Sequence, residues 1–76
     1  MVPLCVGRGV YIDARRVVSC EVVCVERDAG LRWAQAVVLR LYVWHSGAVR
    51  RVDVEGDERF RARDALRRLG LRPRLR

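Results

Sequence analysis

Residues 35–55, with the sequence QAVVLRLYVWHSGAVRRVDVE, have the pattern of two β-strands joined by a tight turn. Segment 35–44 is rich in Val, Leu, Tyr and Trp, which suit a pleated, half-buried surface, and segment 48–55, with three Val residues, reads the same way. Gly47 can adopt the positive φ angle that a two-residue hairpin turn requires. The pattern therefore predicts a β-hairpin with Ser46 and Gly47 at its turn, and the remaining elements must pack around it.

The predicted turn also sets the pairing register of the two strands. It places His45 opposite Ala48 and continues to Leu39 opposite Val54. Because side chains alternate between the two faces of a strand, one face is apolar and is predicted to belong to the core: Leu39, Leu41, Val43, Val52 and Val54. The other face carries Arg40, Tyr42, Trp44, Val49, Arg51 and Asp53, with Arg40 opposite Asp53 as a cross-strand ion pair.

The first half of the chain predicts a second set of strands. Segments 2–6 and 10–12 flank Gly7-Arg8-Gly9 and predict a short hairpin, and Asp13 can cap a turn at 13–16. Segment 17–26 predicts a long strand whose core-facing side chains are Val18, Cys20, Val22 and Cys24. Segment 27–34 interrupts the pattern and predicts a loop with its turn at Gly30. In that loop Leu31 and Trp33 cover an open end of the core, or Trp33 joins Tyr42 and Trp44 on an exposed face.

Segment 58–69 predicts the one α-helix, with Asp57 as its N-cap. The predicted buried stripe consists of Ala62, Ala65, Leu66 and Leu69. Gly70 and Leu71 fit a Schellman motif in which Leu71 packs on Leu66, and Pro73 prevents the helix from continuing. Asp64 and Arg68 have the i, i+4 spacing of an ion pair, whereas Phe60 does not belong to the stripe.

The order of elements and the length of 76 residues predict one domain. Residues 1–71 form a mainly β domain with a C-terminal helix, and residues 72–76 form a basic tail. The strands are expected to form a small five-stranded antiparallel sheet or an SH3-like barrel. The alternative is a flat ββββα arrangement with the helix on one face of the sheet.

The positive charge of the chain is concentrated at its C-terminal end. All 16 basic residues are Arg, which together with the many Val residues suggests a thermophilic source. Residues 1–58 contain eight Arg and eight acids and are neutral, whereas residues 59–76 contain eight Arg and one acid, which accounts for the net charge of +7. A localised basic surface is typical of proteins that bind polyanions.

Charge and aromatic content predict a non-enzymatic protein of low sequence specificity that binds DNA or RNA or associates with a ribonucleoprotein. The expected phosphate contacts are Arg61, Arg63, Arg67, Arg68, Arg72, Arg74 and Arg76. The outer face of the hairpin adds Arg40, Tyr42, Trp44 and Arg51 as stacking and phosphate partners. The alternative is a protein-interaction module or homodimer that uses Val23, Val25, Trp44 and Val49 on the same face.

The sequence offers no pattern for catalysis or for a cofactor. Cys20 and Cys24 on a strand are about 13 Å apart, too far for one zinc ion, so they are expected to pack in the core. Cys5 can form a disulfide with either of them if the N-terminal strand lies beside the second long strand. His45 has no nucleophile beside it. We expect no enzyme activity, metal, cofactor or small-molecule substrate. The chain has no apolar run of membrane-spanning length and no signal peptide, which predicts a cytoplasmic protein.

In outline, the element order resembles the small basic chromatin proteins of hyperthermophilic archaea. That resemblance implies an SH3-like barrel with a C-terminal helix that binds duplex DNA through its sheet. In this chain the sheet-forming part is neutral and the surplus charge lies in the helix and tail. No residue is therefore carried over from that family.

Overall fold

The computed structural model describes residues 2–29 and 32–75, without the side chains of residues 27–29, 32 and 33. The fold is mainly β with one helix near the C-terminus, as predicted. The elements are β1 (Pro3–Gly7), β2 (Val10–Asp13), a 3-10 turn (Ala14–Arg16), β3 (Val17–Ala29), β4 (Arg32–His45), β5 (Ala48–Val54), α1 (Glu58–Arg68) and β6 (Arg74–Leu75). The predicted roles of Gly30, Leu31, Arg76 and the Trp33 side chain lie outside the described residues.

The strands form two sheets. β1 and β2 pair as a short hairpin, and the second sheet has the order β5-β4-β3-β6. The predicted five-stranded antiparallel sheet or SH3-like barrel is not found, because the described strands form a mixed four-stranded sheet and a separate hairpin without closing into a barrel. The arrangement corresponds instead to the predicted alternative, an open sheet with the helix on one face. Part of the predicted basic tail belongs to this sheet, because β6 pairs in parallel with β3, with Arg74 opposite Glu21 and Leu75 opposite Val22.

The β4–β5 hairpin has the predicted register over its whole length, from His45 opposite Ala48 to Leu39 opposite Val54. Its turn places Ser46 at φ 51° and Gly47 at φ 76°. Two positive φ angles are characteristic of a type I′ turn, whose twist matches that of the flanking strands. The turn thus fixes which side chains of the hairpin face the core.

The β3–β4 hairpin is longer than the sequence predicted. The loop expected at 27–34 was wrong, because the antiparallel ladder continues past Glu26 opposite Gln35 to Ala29 opposite Arg32. Strand propensity depends mainly on pairing with a neighbour. Here β3 and β4 are already paired in register and continue to pair, although the sequence of the added segment shows no clear alternation of apolar and polar residues.

A β-bulge changes which residues of β3 face the core. The pairing with β4 shifts between Val17 and Ser19, so that Val17 is buried whereas Val18 is 56% exposed. The prediction was therefore wrong for Val18. It was right for Cys20, which is buried, and wrong for Cys24, which is exposed because it lies on β3 beyond the part that packs in the core cluster. A bulge inserts one residue into the alternation, and the sequence pattern alone did not reveal it.

The core lies between the inner face of the larger sheet, the β1–β2 hairpin and the helix. The helix packs mainly against β1 and also contacts β4 and β5. The buried core cluster consists of Leu4, Val6, Ala14, Val17, Cys20, Leu39, Leu41, Val43, Val54, Ala62 and Leu66. Leu69, predicted to be buried, is exposed because the helix ends at Arg68 and Leu69 is already its C-cap.

The two ends of α1 differ in how well the sequence predicted them. At the C-terminal end Leu71 N–H donates to the Leu66 carbonyl at 2.9 Å and Gly70 N–H donates to the Arg67 carbonyl at 3.0 Å. With Gly70 at φ 85°, these bonds form the predicted Schellman motif. At the N-terminal end Asp57 occupies the predicted N-cap position, but it has helical backbone angles and its side chain makes no capping hydrogen bond.

In the described part of the chain, no helix has both the length and the apolar character needed to span a membrane.

Candidate nucleic-acid interface

The arginines of the helix and the C-terminal segment present a positive surface. Arg61, Arg67 and Arg68 are exposed on α1, and Arg72 and Arg74 are exposed after it. Among the described residues, none of these five has an acid within ion-pair distance. The predicted pair between Asp64 and Arg68 does not form, because Asp64 instead lies 3.5 Å from Nε of Arg63.

Arg63 and Arg59 are partly engaged by Phe60, the helix residue without a predicted role. Their guanidinium carbons lie 4.2 Å (Arg59) and 5.4 Å (Arg63) from the centre of the Phe60 ring, within the range of cation–π attraction. Nε of Arg63 is buried and makes no hydrogen bond in the described structure, although Asp64 Oδ1 lies 3.5 Å from it. Arg59 also donates to the Gly56 carbonyl at 2.8 Å.

The outer face of the larger sheet carries a row of paired polar side chains. Arg40 donates through Nε to Asp53 Oδ1 at 2.9 Å, as predicted, and through a terminal nitrogen to Oδ2 at 3.3 Å. Hydrogen bonding to Asp53 raises the pKa of Arg40 against the opposing effect of desolvation. Tyr42 donates its hydroxyl to Glu21 at 2.9 Å, and Glu21 is itself buried. Two of the four residues predicted to bind nucleic acid through this face therefore already have partners within the protein.

The remaining part of the outer face is exposed but small. Trp44 is 51% exposed and its cross-strand partner Val49 is 52% exposed, with Arg51 exposed on the same face. Val23, which was predicted to extend this apolar surface, is only 6% exposed and pairs with the buried Val38. The four residues of the predicted dimer surface therefore do not form one accessible patch.

A cleft that the sequence did not predict opens between β2, the 3-10 turn and the free end of the β4–β5 hairpin. Its volume is about 640 Å³, within the range of small-molecule sites. The lining residues are Tyr11, Ile12, Asp13, Arg16, Val43, His45, Arg50 and Val52. We call this site the hairpin cleft; its floor is apolar and its rim carries two guanidinium groups.

Among the described residues Asp13 is the one acid in the lining of the hairpin cleft, and its charge is compensated locally. Its carboxylate accepts hydrogen bonds from the Arg15 side chain at 3.2 Å, and from the backbone N–H groups of Arg15 at 3.1 Å and Val2 at 3.3 Å. The Arg15 hydrogen bond is the main cause of a pKa for Asp13 well below its usual range. The cleft is therefore positive overall.

One signal in the sequence could have indicated this cleft. Arg50 pairs with Val43 and occupies a position in the alternation that points to the core side of β5. A charged residue at such a position either has a buried partner or marks the end of the core. The second wall comes from a different hairpin, and no local pattern brings Tyr11 and Arg16 to the same place.

The three cysteines are free thiols. Burial raises the pKa of the Cys20 thiol, as expected for a packed side chain, whereas the exposed Cys24 thiol lies 3.8 Å from Gln35 Oε1. Within residues 2–29 and 32–75 the structure contains no cluster of three metal-ligating side chains.

Comparison with known proteins does not extend these observations, since no protein-family model, no curated protein and no solved structure matches the chain.

Proposed function

We propose that this protein is a non-enzymatic nucleic-acid-binding module of low sequence specificity. The observation that carries the proposal is the set of five exposed arginines on α1 and in the C-terminal segment without an acidic partner in the described structure. A guanidinium group without a carboxylate beside it remains available for bidentate contact with phosphate.

One side of α1 packs against the core, and the opposite side is available for binding. Ala62 and Leu66 hold one side of α1 against the core, and Arg61 and Arg68 lie seven residues apart, two helical turns, on the opposite side. Phosphate contacts position a protein on a nucleic acid without reading its bases. Binding through this surface is therefore expected to be tight at low salt and to tolerate many sequences.

The test is a salt titration of binding to duplex DNA with the variant Arg61→Gln/Arg68→Gln. A plot of log K against log salt concentration has a negative slope. Each phosphate contact that a substitution removes should reduce the magnitude of this slope by about 1. The magnitude of the slope for the double variant should therefore fall by about 2, and its binding at low salt should be weaker. Gln preserves helix propensity. Fluorescence anisotropy with a labelled duplex of mixed sequence measures both quantities.

The matched control is Arg61→Lys/Arg68→Lys, which keeps both charges on the same face of α1. Its salt slope should equal that of the original protein, because counterion release depends on charge. Affinity for DNA and RNA that does not change between low and moderate salt would contradict the proposal.

The alternative of a protein-interaction module has narrower support. It rests on the exposed pair of Trp44 and Val49, because Val23 is buried. Self-association through that pair would leave the helix arginines accessible, so the two functions are compatible.

A further inference from the structure

The hairpin cleft has a composition that fits an unstacked nucleobase next to its phosphate. Tyr11 is 61% exposed at the rim and can offer its ring face to a base, while Ile12, Val43 and Val52 provide an apolar floor. Every base has a π face, so stacking on an aromatic side chain does not depend on sequence.

The charge around the cleft selects an anionic occupant. Arg16 and Arg50 line it from opposite walls, the 3-10 turn and β5. In the part of the chain that the structure describes, neither has an acid within ion-pair distance. The Asp13 carboxylate does not oppose an anion strongly, because it is bound by Arg15 and by two backbone N–H groups.

From this geometry we propose that the hairpin cleft binds one nucleotide of a single strand, with the base on Tyr11 and the phosphate between Arg16 and Arg50. The inference rests on the proposed function and makes it more specific, since a base paired within a duplex cannot enter a cleft. The protein should therefore prefer single-stranded over double-stranded nucleic acid of the same length.

The experiment compares a labelled oligothymidine with a duplex, each about 12 nucleotides or base pairs long, at one low salt concentration. The change Tyr11→Leu should lower affinity for the single strand by about 5- to 100-fold, the range expected when one base is no longer stacked. It should leave affinity for the duplex unchanged. Tyr11→Phe keeps the ring and is the matched control, with affinity for both probes retained.

A second pair of variants tests the phosphate contact. Arg16→Gln and Arg50→Gln should each reduce the salt slope for the single strand by about 0.7. Arg8→Gln removes a charge that is also exposed but lies in the β1–β2 turn, outside the cleft lining, and should reduce the steepness of that slope less.

The outcomes separate this inference from the function on which it rests. If the protein binds the duplex at least as tightly as the single strand and Tyr11→Leu changes neither affinity, the cleft inference is overturned while nucleic-acid binding stands. Absence of salt-dependent binding to either probe overturns both. A preference for the single strand that Tyr11→Leu removes and Tyr11→Phe preserves supports the assignment of the cleft.

Discussion

Arginines in this protein fall into two groups according to whether a carboxylate lies beside them. Arg15 and Arg40 have hydrogen-bonded acids at 2.9–3.3 Å. The Arg40–Asp53 pair links β4 to β5, whereas the Arg15–Asp13 pair is local to the 3-10 turn. Arg61 and Arg68 have no such partner in the described structure. Only the second group remains fully available for an external anion, although all have the same chemistry.

Asp13 should make the stability of the protein depend on pH in the acid range. Its pKa is lowered in the folded state, so below about pH 4 the unfolded chain binds more protons than the folded one. The contribution of Asp13 is therefore present at neutral pH and disappears as the pH falls. Asp13→Asn, which keeps an oxygen for capping, should lower stability at pH 7 and flatten this dependence in urea denaturation.

The reciprocal variant checks the cause of that effect. Arg15→Gln removes the hydrogen bond that does most to lower the pKa of Asp13, so it should weaken the same acid dependence. If the original protein and both variants become less stable in parallel between about pH 5 and pH 2, with equal slopes, the linkage is wrong.

The end of α1 is the element whose structure follows most directly from local chemistry. Gly70 adopts a positive φ angle, and the Gly70 and Leu71 N–H groups close the last turn. The same motif brings Leu71 back onto the core and so directs the chain toward β6. The direction in which the chain carries Arg72 and Arg74 away from the helix thus depends on one backbone conformation.

Gly70→Ala should therefore destabilise the protein by about 1–2 kcal/mol, the cost of a left-handed conformation for a residue with a Cβ. In the described structure no heavy atom beyond the adjoining residues lies within 4 Å of the added Cβ, so the destabilisation reflects backbone strain without a clash. Urea denaturation measures it. The matched control is Gly7→Ala, where φ is not positive and the Cβ meets Val10 at an ordinary 3.9 Å; equal destabilisation by the two substitutions would contradict the explanation.

The shape of the whole molecule is set by its longest strands. The 13 residues of β3 at about 3.3 Å each span about 43 Å, close to the longest dimension of 42 Å. Folding places the hairpin cleft near the turn of the β4–β5 hairpin, whereas the helix packs mainly against β1. The two proposed binding regions therefore belong to different elements.

For the molecule as a whole, we expect a monomer at micromolar concentration. A stable interface buries about 800 Å² on each partner, which the half-exposed pair of Trp44 and Val49 does not approach. Sedimentation velocity is the measurement, with Trp44→Arg as the variant. A dimer that this substitution dissociates would instead favour the interaction-module alternative.

By itself, the sequence determined the features that depend on neighbours along the chain. The register of the β4–β5 hairpin, the Schellman motif at Gly70 and the uneven distribution of charge all follow from local backbone preference and alternation, and the structure bears out the first two. Only the tertiary structure decided the bulge at Val18, the extension of β3 and β4, the pairing of β6 with β3 and the hairpin cleft. The bulge, the β6–β3 pairing and the hairpin cleft arise from contacts between segments far apart in the chain, which no local pattern records. The extension of β3 and β4 arises because two strands already paired in register continue to pair, although the sequence of the added segment does not alternate clearly.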